Sequence, residues 1–308
     1  MDPAIAAFGL GVGLLVGMTG IGGGSLMTPL LILVFGINPV TAVGTDLAYG
    51  AVTKTVGGFK HLRQRTVDMP LSLWMGAGSV PAAIGGVYVL EAIQRAHGAA
   101  FDNVLITALA VTLLFCGVMT LARALFLKRI LGRERDSVAM GRPEKARAVL
   151  LGVVVGFVLG ATSAGSGALI AVGLIMLFRL VPQRVVGTDV FHAAILLWAA
   201  ALAHIVAGNV DFMLAGNILA GSIPGVWAGS HLSVRIPVAT LRTILAVVLI
   251  GSGLGLLAKS GVQIPPVVLG AFPAVVLMLL GVALRGRKRG AEGADAVGPT
   301  PPPLPSRG

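Results

Sequence analysis

The charged residues best suited to chemistry stand inside apolar stretches of the sequence. Asp46 and Asp189 each follow a Val-Gly-Thr triplet, about six residues into a long apolar segment. An ionised Asp near the middle of a bilayer costs about 3 kcal/mol or more, so such a side chain usually faces a cavity or a partner. Two interpretations follow. Either carboxylate binds and releases protons during transport, or each caps a broken helix near the membrane surface.

A lysine and a histidine accompany these carboxylates. Lys54 follows Asp46 by eight residues and shares a helical face with it. We expect Lys54 to bind an anion, to pair with Asp46, or to snorkel toward the nearby membrane surface. His192 lies three residues after Asp189 on the same face, which makes an Asp–His proton relay a hypothesis.

Two Gly/Ser-rich breaks each precede a short apolar segment. A helix N-terminus offers free N–H groups and partial positive charge, which suits anions, while glycine lets a ligand approach the backbone. Tight helix packing without a ligand is the alternative. The substrate-binding residues predicted in the breaks and the two triplets are Thr19, Gly22, Gly23, Gly24, Ser25, Thr45, Thr162, Ser163, Gly165, Ser166, Gly167 and Thr188.

The elements that must position these residues are apolar helices. Eleven segments are predicted, at 3–19, 25–36, 40–58, 70–90, 102–122, 148–163, 168–178, 185–206, 212–232, 239–258 and 264–284. Spanning a bilayer takes about 20 helical residues. Segments 25–36 and 168–178 reach only about 18 Å, so we expect broken or re-entrant helices there and nine to eleven apolar segments in all. Short, Gly-interrupted segments at matching positions point to a transporter binding site.

Composition supports an all-α membrane protein. Hydrophobic residues make up 56% of the chain and charged residues 11%, whereas soluble domains carry about 25% charge. The net charge of +11 lies mostly between apolar segments and aromatic residues are few, so the charge indicates membrane orientation and not nucleic-acid binding. Cys116 is the single cysteine, which excludes a disulfide within the chain and a cysteine-based metal site. No metal or cofactor is predicted.

The chain also matches itself after a shift of 143 residues, without a gap between 17 and 86. The Val-Gly-Thr-Asp sequences at 43–46 and 186–189 coincide, as do His61 with His204 and Asp68 with Asp211. The matched histidines end their segments and are predicted to be interfacial, and the matched Asp68 and Asp211 are predicted N-caps. The predicted domains are a first repeat at 5–122, a basic cytoplasmic loop at 123–147, a second repeat at 148–258, an extra helix at 264–284 and a disordered cytoplasmic tail at 285–308.

Basic residues predict how the repeats face the membrane. With the central loop in the cytoplasm, nearly all of the 23 Lys and Arg residues lie on that side. The loop after the third segment is basic, whereas its matching loop after the eighth segment has no Lys or Arg. The second repeat is therefore predicted to be inverted. Inverted repeats recur in secondary transporters.

The two motif pairs resemble a known family. GMTGIGGGSLMTPLL with PVTAVGTDLAYGAVTKTVGGFKHLRQRTVD, repeated as GATSAGSGALI and VVGTDVFHAAILLWAAALAHIVAGNVD, is similar to the sulfite exporter TauE/SafE family over roughly residues 5–285. The resemblance implies a multi-pass protein of the bacterial inner (plasma) membrane that transports sulfite, a sulfonate or a related organic anion. Its partners would be the lipid bilayer and a small anionic solute, with oligomerisation left open.

Three functions remain at this point. An anion transporter, possibly proton-coupled, ranks first, and the C-terminus is expected in the cytoplasm. An uncoupled anion channel could share the same site. A membrane enzyme ranks last, because the sequence has no Ser/His/Asp set, paired-His metal site or His-Glu motif, and no catalytic residue is predicted.

Overall fold

Helices form wherever the chain is apolar. The computed structural model describes residues 3–19, 24–130, 134–233, 238–265 and 267. Within these ranges there are ten α-helices, a short 3₁₀ turn at Gly98–Ala100 and no strand, apart from an isolated bridge between Arg135 and Leu180. The helices are α1 (Pro3–Thr19), α2 (Gly24–Val34), α3 (Pro39–Arg63), α4 (Met69–His97), α5 (Phe101–Ile130), α6 (Arg142–Thr162), α7 (Leu169–Phe178), α8 (Pro182–Val206), α9 (Phe212–Ser233) and α10 (Val238–Lys259). The predicted all-α membrane fold is confirmed.

Six of the described helices are long and apolar enough to span a bilayer: α4, α5, α6, α8, α9 and α10. Helix α3 is as long as α8, with 25 residues each, but it carries four Asp, Lys or Arg side chains where α8 carries two. Helices α2 and α7 have 11 and 10 residues, so each rises only about 16 Å and cannot cross the hydrocarbon core alone.

The predicted segments agree with the helices to within three residues at most ends, but α3 ends five residues and α4 seven residues later than predicted. Helix α5 continues to Ile130 and α6 begins at Arg142, so the connection between them is shorter than the predicted loop at 123–147. Residues up to Ile264 form one compact unit and those from Pro265 a second. The predicted extra helix at 264–284 and the tail at 285–308 lie almost entirely outside the described residues.

The helix ends explain several polar residues. The Asp68 Oδ1 accepts a hydrogen bond from the Leu71 N–H at the start of α4, and the Asp211 Oδ1 accepts one from the Leu214 N–H at the start of α9. Each carboxylate satisfies a backbone donor that the helix leaves unpaired. The prediction that both are N-caps is confirmed.

The connection before α6 is attached to the helices by polar contacts. The Asp68 Oδ2 accepts from the Val138 N–H at 3.0 Å. The Arg184 side chain donates to both carboxylate oxygens of Asp136, at 3.3 and 3.1 Å, and to the Arg65 carbonyl at 2.6 Å. These hydrogen bonds from Arg184 hold the pKa of the exposed Asp136 carboxyl below its ordinary value.

Glycine seams join the two halves of the chain. A Cβ placed on Gly9 of α1 would lie 2.6 Å from the Ile218 carbonyl oxygen of α9, and one on Gly17 would lie 2.9 Å from the Val226 Cα. The residue numbers of the contacting pairs increase together along the two helices, so α1 and α9 are parallel. A matching parallel seam joins α4 and α6, where a Cβ on Gly86 would lie 2.7 Å from the Phe157 carbonyl oxygen. Small residues permit this close backbone approach in membrane helices.

Helices at matching positions of the repeat pack on each other in opposite directions. A Cβ on Gly50 of α3 would lie 3.2 Å from Leu197 of α8, and one on Gly58, further along α3, would lie 3.3 Å from Phe191, which comes earlier in α8. The same reversal relates α5 and α10, where Gly117 faces Ile250. Helices α3 and α8 therefore form an antiparallel pair, and the polar residues lie along their contact.

Candidate functional site

A buried carboxylate marks the contact between the two repeats. Asp46 is fully buried in α3, and its Oδ2 accepts hydrogen bonds of 2.6 Å from Thr28 of α2 and Ser163 at the end of α6. This length is typical of a hydroxyl that donates to an ionised carboxylate. The Oδ1 atom is buried without a hydrogen-bond partner. Asp46 lies within a continuous helix, so the alternative in which it caps a helix end is wrong.

The second Gly/Ser-rich break begins at this carboxylate. Helix α6 stops at Thr162, and Ser163 follows in the left-handed conformation with φ of 57°. The C-terminal end of a helix carries partial negative charge. The Asp46 carboxylate therefore lies beside a second, partial negative charge.

Other residues of the break have different roles. Gly165 has φ of 93°, and a Cβ there would lie 2.8 Å from the Cys116 Sγ, so this glycine is required for the turn and its packing against α5. The Thr162 hydroxyl donates to its own helix at Val158. Ser166 and Gly167 are buried, and the Ser166 hydroxyl has no hydrogen-bond partner.

The second carboxylate pairs with a lysine from the other repeat. Lys54 Nζ of α3 lies 4.0 Å from Asp189 Oδ2 of α8, with side-chain exposures of 6% and 7%. Of the three alternatives for Lys54, pairing with Asp46 is therefore wrong, and anion binding stays a prediction. The antiparallel contact places Lys54 beside α8, whereas helical spacing alone could compare it only with residues of α3. Asp189 also lies inside a continuous helix, so it caps no helix end.

A cavity of about 560 Å³ opens beside this ion pair, between α1, α3 and α9. Its polar lining comes from Thr53, Lys54, Lys60, His61, Ser222 and Ser230. The rest of the lining is apolar, and Lys54 and Lys60 add positive charge to it, which attracts anions. Lys54 lines the cavity and also forms the buried ion pair with Asp189. The cavity therefore leads to the charged residues at the α3–α8 contact.

The two predicted triplet threonines hold the fold together. The Thr45 Oγ1 accepts from the Asp211 N–H at 3.0 Å, and the Thr188 Oγ1 accepts from the Asp68 N–H at 2.9 Å. Each threonine thus anchors the helix cap of the opposite repeat. Each hydroxyl oxygen thus has a structural role, and the contact of these threonines with substrate stays a prediction.

His192 is fully buried, three residues after Asp189, and neither ring nitrogen has a hydrogen bond of good geometry. The relay between the two side chains stays a prediction. Of the first Gly-rich break, Gly22 and Gly23 lie outside the described residues, as do the side chains of Thr19 and Ser25. Gly24 is the first residue of α2.

Sequence reasoning missed Thr28 and did not predict the burial of His204. Thr28 donates to Asp46 from α2, and a single threonine in an apolar run carries no distinctive pattern. His204 was predicted to be interfacial, yet it is fully buried and its Nε2 lies 3.0 Å from the Gly160 carbonyl oxygen. The match of His204 with His61 in the repeat was the sequence signal that could have singled it out.

These features define a multi-pass helical membrane protein with buried charges and a basic cavity. The chain belongs to the sulfite exporter TauE/SafE family, whose model matches residues 5–256. It is a membrane transporter of that family.

Curated relatives are similar over most of the chain. A probable membrane transporter protein, YjnA of Bacillus subtilis (strain 168), is 42% identical over 257 residues, which cover 83% of this chain and 100% of the relative. Two others from the same organism, YdhB and YunE, carry the same description and are 29% and 24% identical, covering 75% and 80% of this chain and 90% and 93% of their own. No solved structure matches the chain.

Proposed function

We propose that this protein is a secondary transporter that moves a small anion, such as sulfite, a sulfonate or a related organic anion, in exchange with or together with protons. The observation that carries the proposal is the buried Lys54–Asp189 ion pair, whose lysine also lines the basic cavity. Buried charges inside membrane helices are costly, and they usually mark a substrate or proton pathway.

The ion pair suggests how anion and proton binding are linked. At 4.0 Å, Lys54 and Asp189 are at the limit of a direct ion pair. An anion that enters the cavity competes with Asp189 for Lys54. When Asp189 takes up a proton, its charge is neutralised and Lys54 is released for the anion. The site then contains one positive and one negative charge before and after binding, which keeps the cost of burial low.

Asp46 is the second proposed proton-binding group. Two hydroxyls donate to it and favour its charge, whereas its burial and the nearby C-terminal end of α6 disfavour that charge, so an added proton offsets both of the latter. His192, fully buried three residues after Asp189, is the proposed proton carrier near the ion pair. The hydroxyl of Ser166 and the backbone at Gly167 are the remaining candidates of the second break for anion contact.

Inversion of the second repeat is part of this proposal. The antiparallel packing of α3 on α8 and of α5 on α10 supports it, because these helices occupy matching positions of the two repeats. The basic loops support an inner-membrane protein with a cytoplasmic C-terminus. No enzymatic role is proposed, and nucleic acid is not a proposed partner.

Reconstitution tests the proposal. Purified full-length protein in proteoliposomes is given labelled sulfite or a short alkylsulfonate, with and without a pH gradient. We expect saturable uptake that the gradient accelerates. A Lys54→Ala variant should lose this uptake, whereas Lys60→Ala, which alters the same cavity lining away from the ion pair, should retain most of it. Linear flux that ignores the gradient would indicate a channel, and absence of flux for these anions would contradict the substrate class.

A further inference from the structure

The two histidines matched by the repeat have different surroundings. His204, near the end of α8, is fully buried, and its Nε2 lies 3.0 Å from the Gly160 carbonyl oxygen of α6. Its Nδ1 lies 3.4 Å from the Asn209 side-chain nitrogen, which can only donate. The ring therefore accepts at Nδ1 and donates from Nε2, and this hydrogen bond closes α6 onto α8.

His61 makes the matching local contact through its Nδ1 atom, but it does not close α1 onto α3. Its Nδ1 lies 3.0 Å from the Thr66 hydroxyl, and Thr66 matches Asn209. Gly17 matches Gly160. However, His61 and Gly17 both line the cavity, and no hydrogen bond joins them in the described part of the chain. The cavity therefore occupies the place that the histidine bond closes in the other repeat.

The surroundings of the two histidines also differ in exposure, and those of His61 are the more exposed. Three positions that line the cavity are exposed or half-buried, whereas their matches are buried. The pairs are exposed Ser230 with Val87 (1% exposed), half-buried Val226 with Ala83 (0%), and half-buried Gly57 with buried Ala200. Helix α4 packs closely along α8, while the matching helices α9 and α3 are separated by the cavity. One side of the molecule is open and the matching side is closed.

We infer that the matched surface of α6, α8 and α4 is a second access route, closed in this structure, and that His204 and His61 are the latches of the two routes. In the alternate state, His61 bonds the Gly17 carbonyl while His204 releases Gly160. Because α3 and α8 are antiparallel, the two routes open to opposite sides of the membrane. The inference deepens the proposed transport function and rests on it.

The hydrogen bonds between His61 and Thr66 allow His61 to adopt the donor form of His204 without a change in net charge. The Thr66 hydroxyl now donates to the His61 carbonyl and accepts from Nδ1. His61 reaches the donor form that His204 already has when its ring loses the Nδ1 proton to water in the cavity and gains one from water at Nε2. The Thr66 hydroxyl then rotates to donate to Nδ1. His61 can then donate to Gly17 as His204 donates to Gly160.

Accessibility of matched cysteines tests the latches without a substrate, so the result is independent of whether the tested anions are transported. The single native cysteine, Cys116, is buried, and Cys116→Ala gives a cysteine-free background. Ser230→Cys reports on the open route and Val87→Cys on the closed one. Labelling rates with a membrane-impermeant maleimide are measured separately from each side of oriented vesicles.

We expect Ser230→Cys to label quickly from the side of Lys60, and Val87→Cys slowly from the opposite side. Adding His204→Ala should speed Val87→Cys labelling about fivefold to tenfold and slow Ser230→Cys labelling, because a buried hydrogen bond is lost from the closed side. His61→Ala should act in the reverse direction. His204→Gln, which retains a donor near the Nε2 position, is the matched control and should shift the rates less than His204→Ala.

Two results would overturn the inference. If His204→Ala leaves the labelling of Val87→Cys unchanged while the protein remains monodisperse, the closed side is permanent packing and not a route. If both cysteines label faster together and from the same side, the substitution loosens the fold and His204 is not a latch. Opposite changes at the two positions are expected only from an exchange between two states.

Discussion

The carboxylates Asp46 and Asp189 occupy matching positions of the repeat and have different partners. Asp46 accepts two short hydrogen bonds from hydroxyls, whereas Asp189 lies 4.0 Å from the Lys54 ammonium. In both cases the partners include a residue of the other repeat, Ser163 for Asp46 and Lys54 for Asp189. The same four-residue motif thus produces two different sites. At Asp189 a lysine compensates the negative charge, whereas at Asp46 hydroxyl groups alone solvate it.

The difference arises from neighbouring residues and not from the motif. Lys54 has Leu197 at its matching position, and Thr28 has Ala171. The second repeat therefore supplies neither the cation nor the threonine. The comparison teaches that a repeat conserves the placement of a carboxylate in the fold, while single substitutions elsewhere decide what that carboxylate can bind.

The largest expected effect comes from removal of the cation. In Lys54→Leu, which copies the matching residue of the second repeat, Asp189 is left buried without its lysine, an arrangement that typically costs about 3–5 kcal/mol. We expect anion uptake to fall by about 100-fold or more, at 1.36 kcal/mol for each factor of ten, and the melting temperature in detergent to drop.

The double variant Lys54→Leu with Asp189→Asn separates stability from function. It removes both charges, so thermal stability should recover while uptake stays absent. Recovery of uptake in the double variant would show that Lys54 only neutralises Asp189 and does not bind the anion.

The next effect tests which carboxylate couples transport to protons. In Asp189→Asn the side chain can no longer be ionised, so Lys54 stays available to the anion at every pH. We expect uptake that continues down an anion gradient but no longer accelerates about tenfold when a tenfold proton gradient is imposed. Uptake as a function of external pH measures this.

Asp46→Asn provides the comparison for that experiment. If Asp46 binds the second proton, its variant should alter the pH dependence as well, although Lys54 and Asp189 remain paired. Unchanged pH dependence in the double variant of Asp46 and Asp189 would remove both residues from proton coupling.

A smaller effect is expected from the hydroxyls around Asp46. Thr28→Ala, which makes the first repeat resemble the second at this position, leaves one hydroxyl donor on the carboxylate. A lost hydrogen bond to a buried charged group costs about 1–3 kcal/mol, so stability and uptake should decrease measurably but less than in Lys54→Leu. Ser163→Ala should give a similar loss. Additive losses in the double variant would argue against a shared hydrogen-bond network.

The smallest effect is expected at the exposed Asp136, in contrast to the two buried carboxylates. Asp136→Asn breaks its hydrogen bonds with Arg184 and should lower the melting temperature by only about 1 °C, because exposed ion pairs contribute little. The pKa of Asp136 is lowered from 3.8, so the contribution is complete above about pH 4 and is lost as the pH falls through the lowered value. A larger difference at neutral pH would contradict this.

Sequence reasoning succeeded where local patterns determine the outcome. Apolar length predicted the described helices to within a few residues at most ends, and Asp68 and Asp211 were recognised as caps because an acidic residue before an apolar run satisfies free backbone N–H groups.

Contacts between helices were beyond that reasoning. Lys54 pairs with Asp189 and not with Asp46, because the rotation of α3 against α8 depends on the packing of both helices. Thr45 and Thr188 were assigned to substrate, whereas each receives a backbone N–H from a distant helix start. Hydropathy and spacing describe one helix at a time, so they do not reveal such partners.

The glycine seams also bear on how such a chain could have arisen. Helix α1 of the first repeat lies against α9 of the second, and α6 of the second lies against α4 of the first. The first helix of each repeat thus packs into a groove of the other repeat, and the groove of its own repeat is filled from the other. A half-length ancestor could have buried these seams by association of two copies inserted in opposite directions, and gene duplication followed by fusion would then have made that pairing permanent.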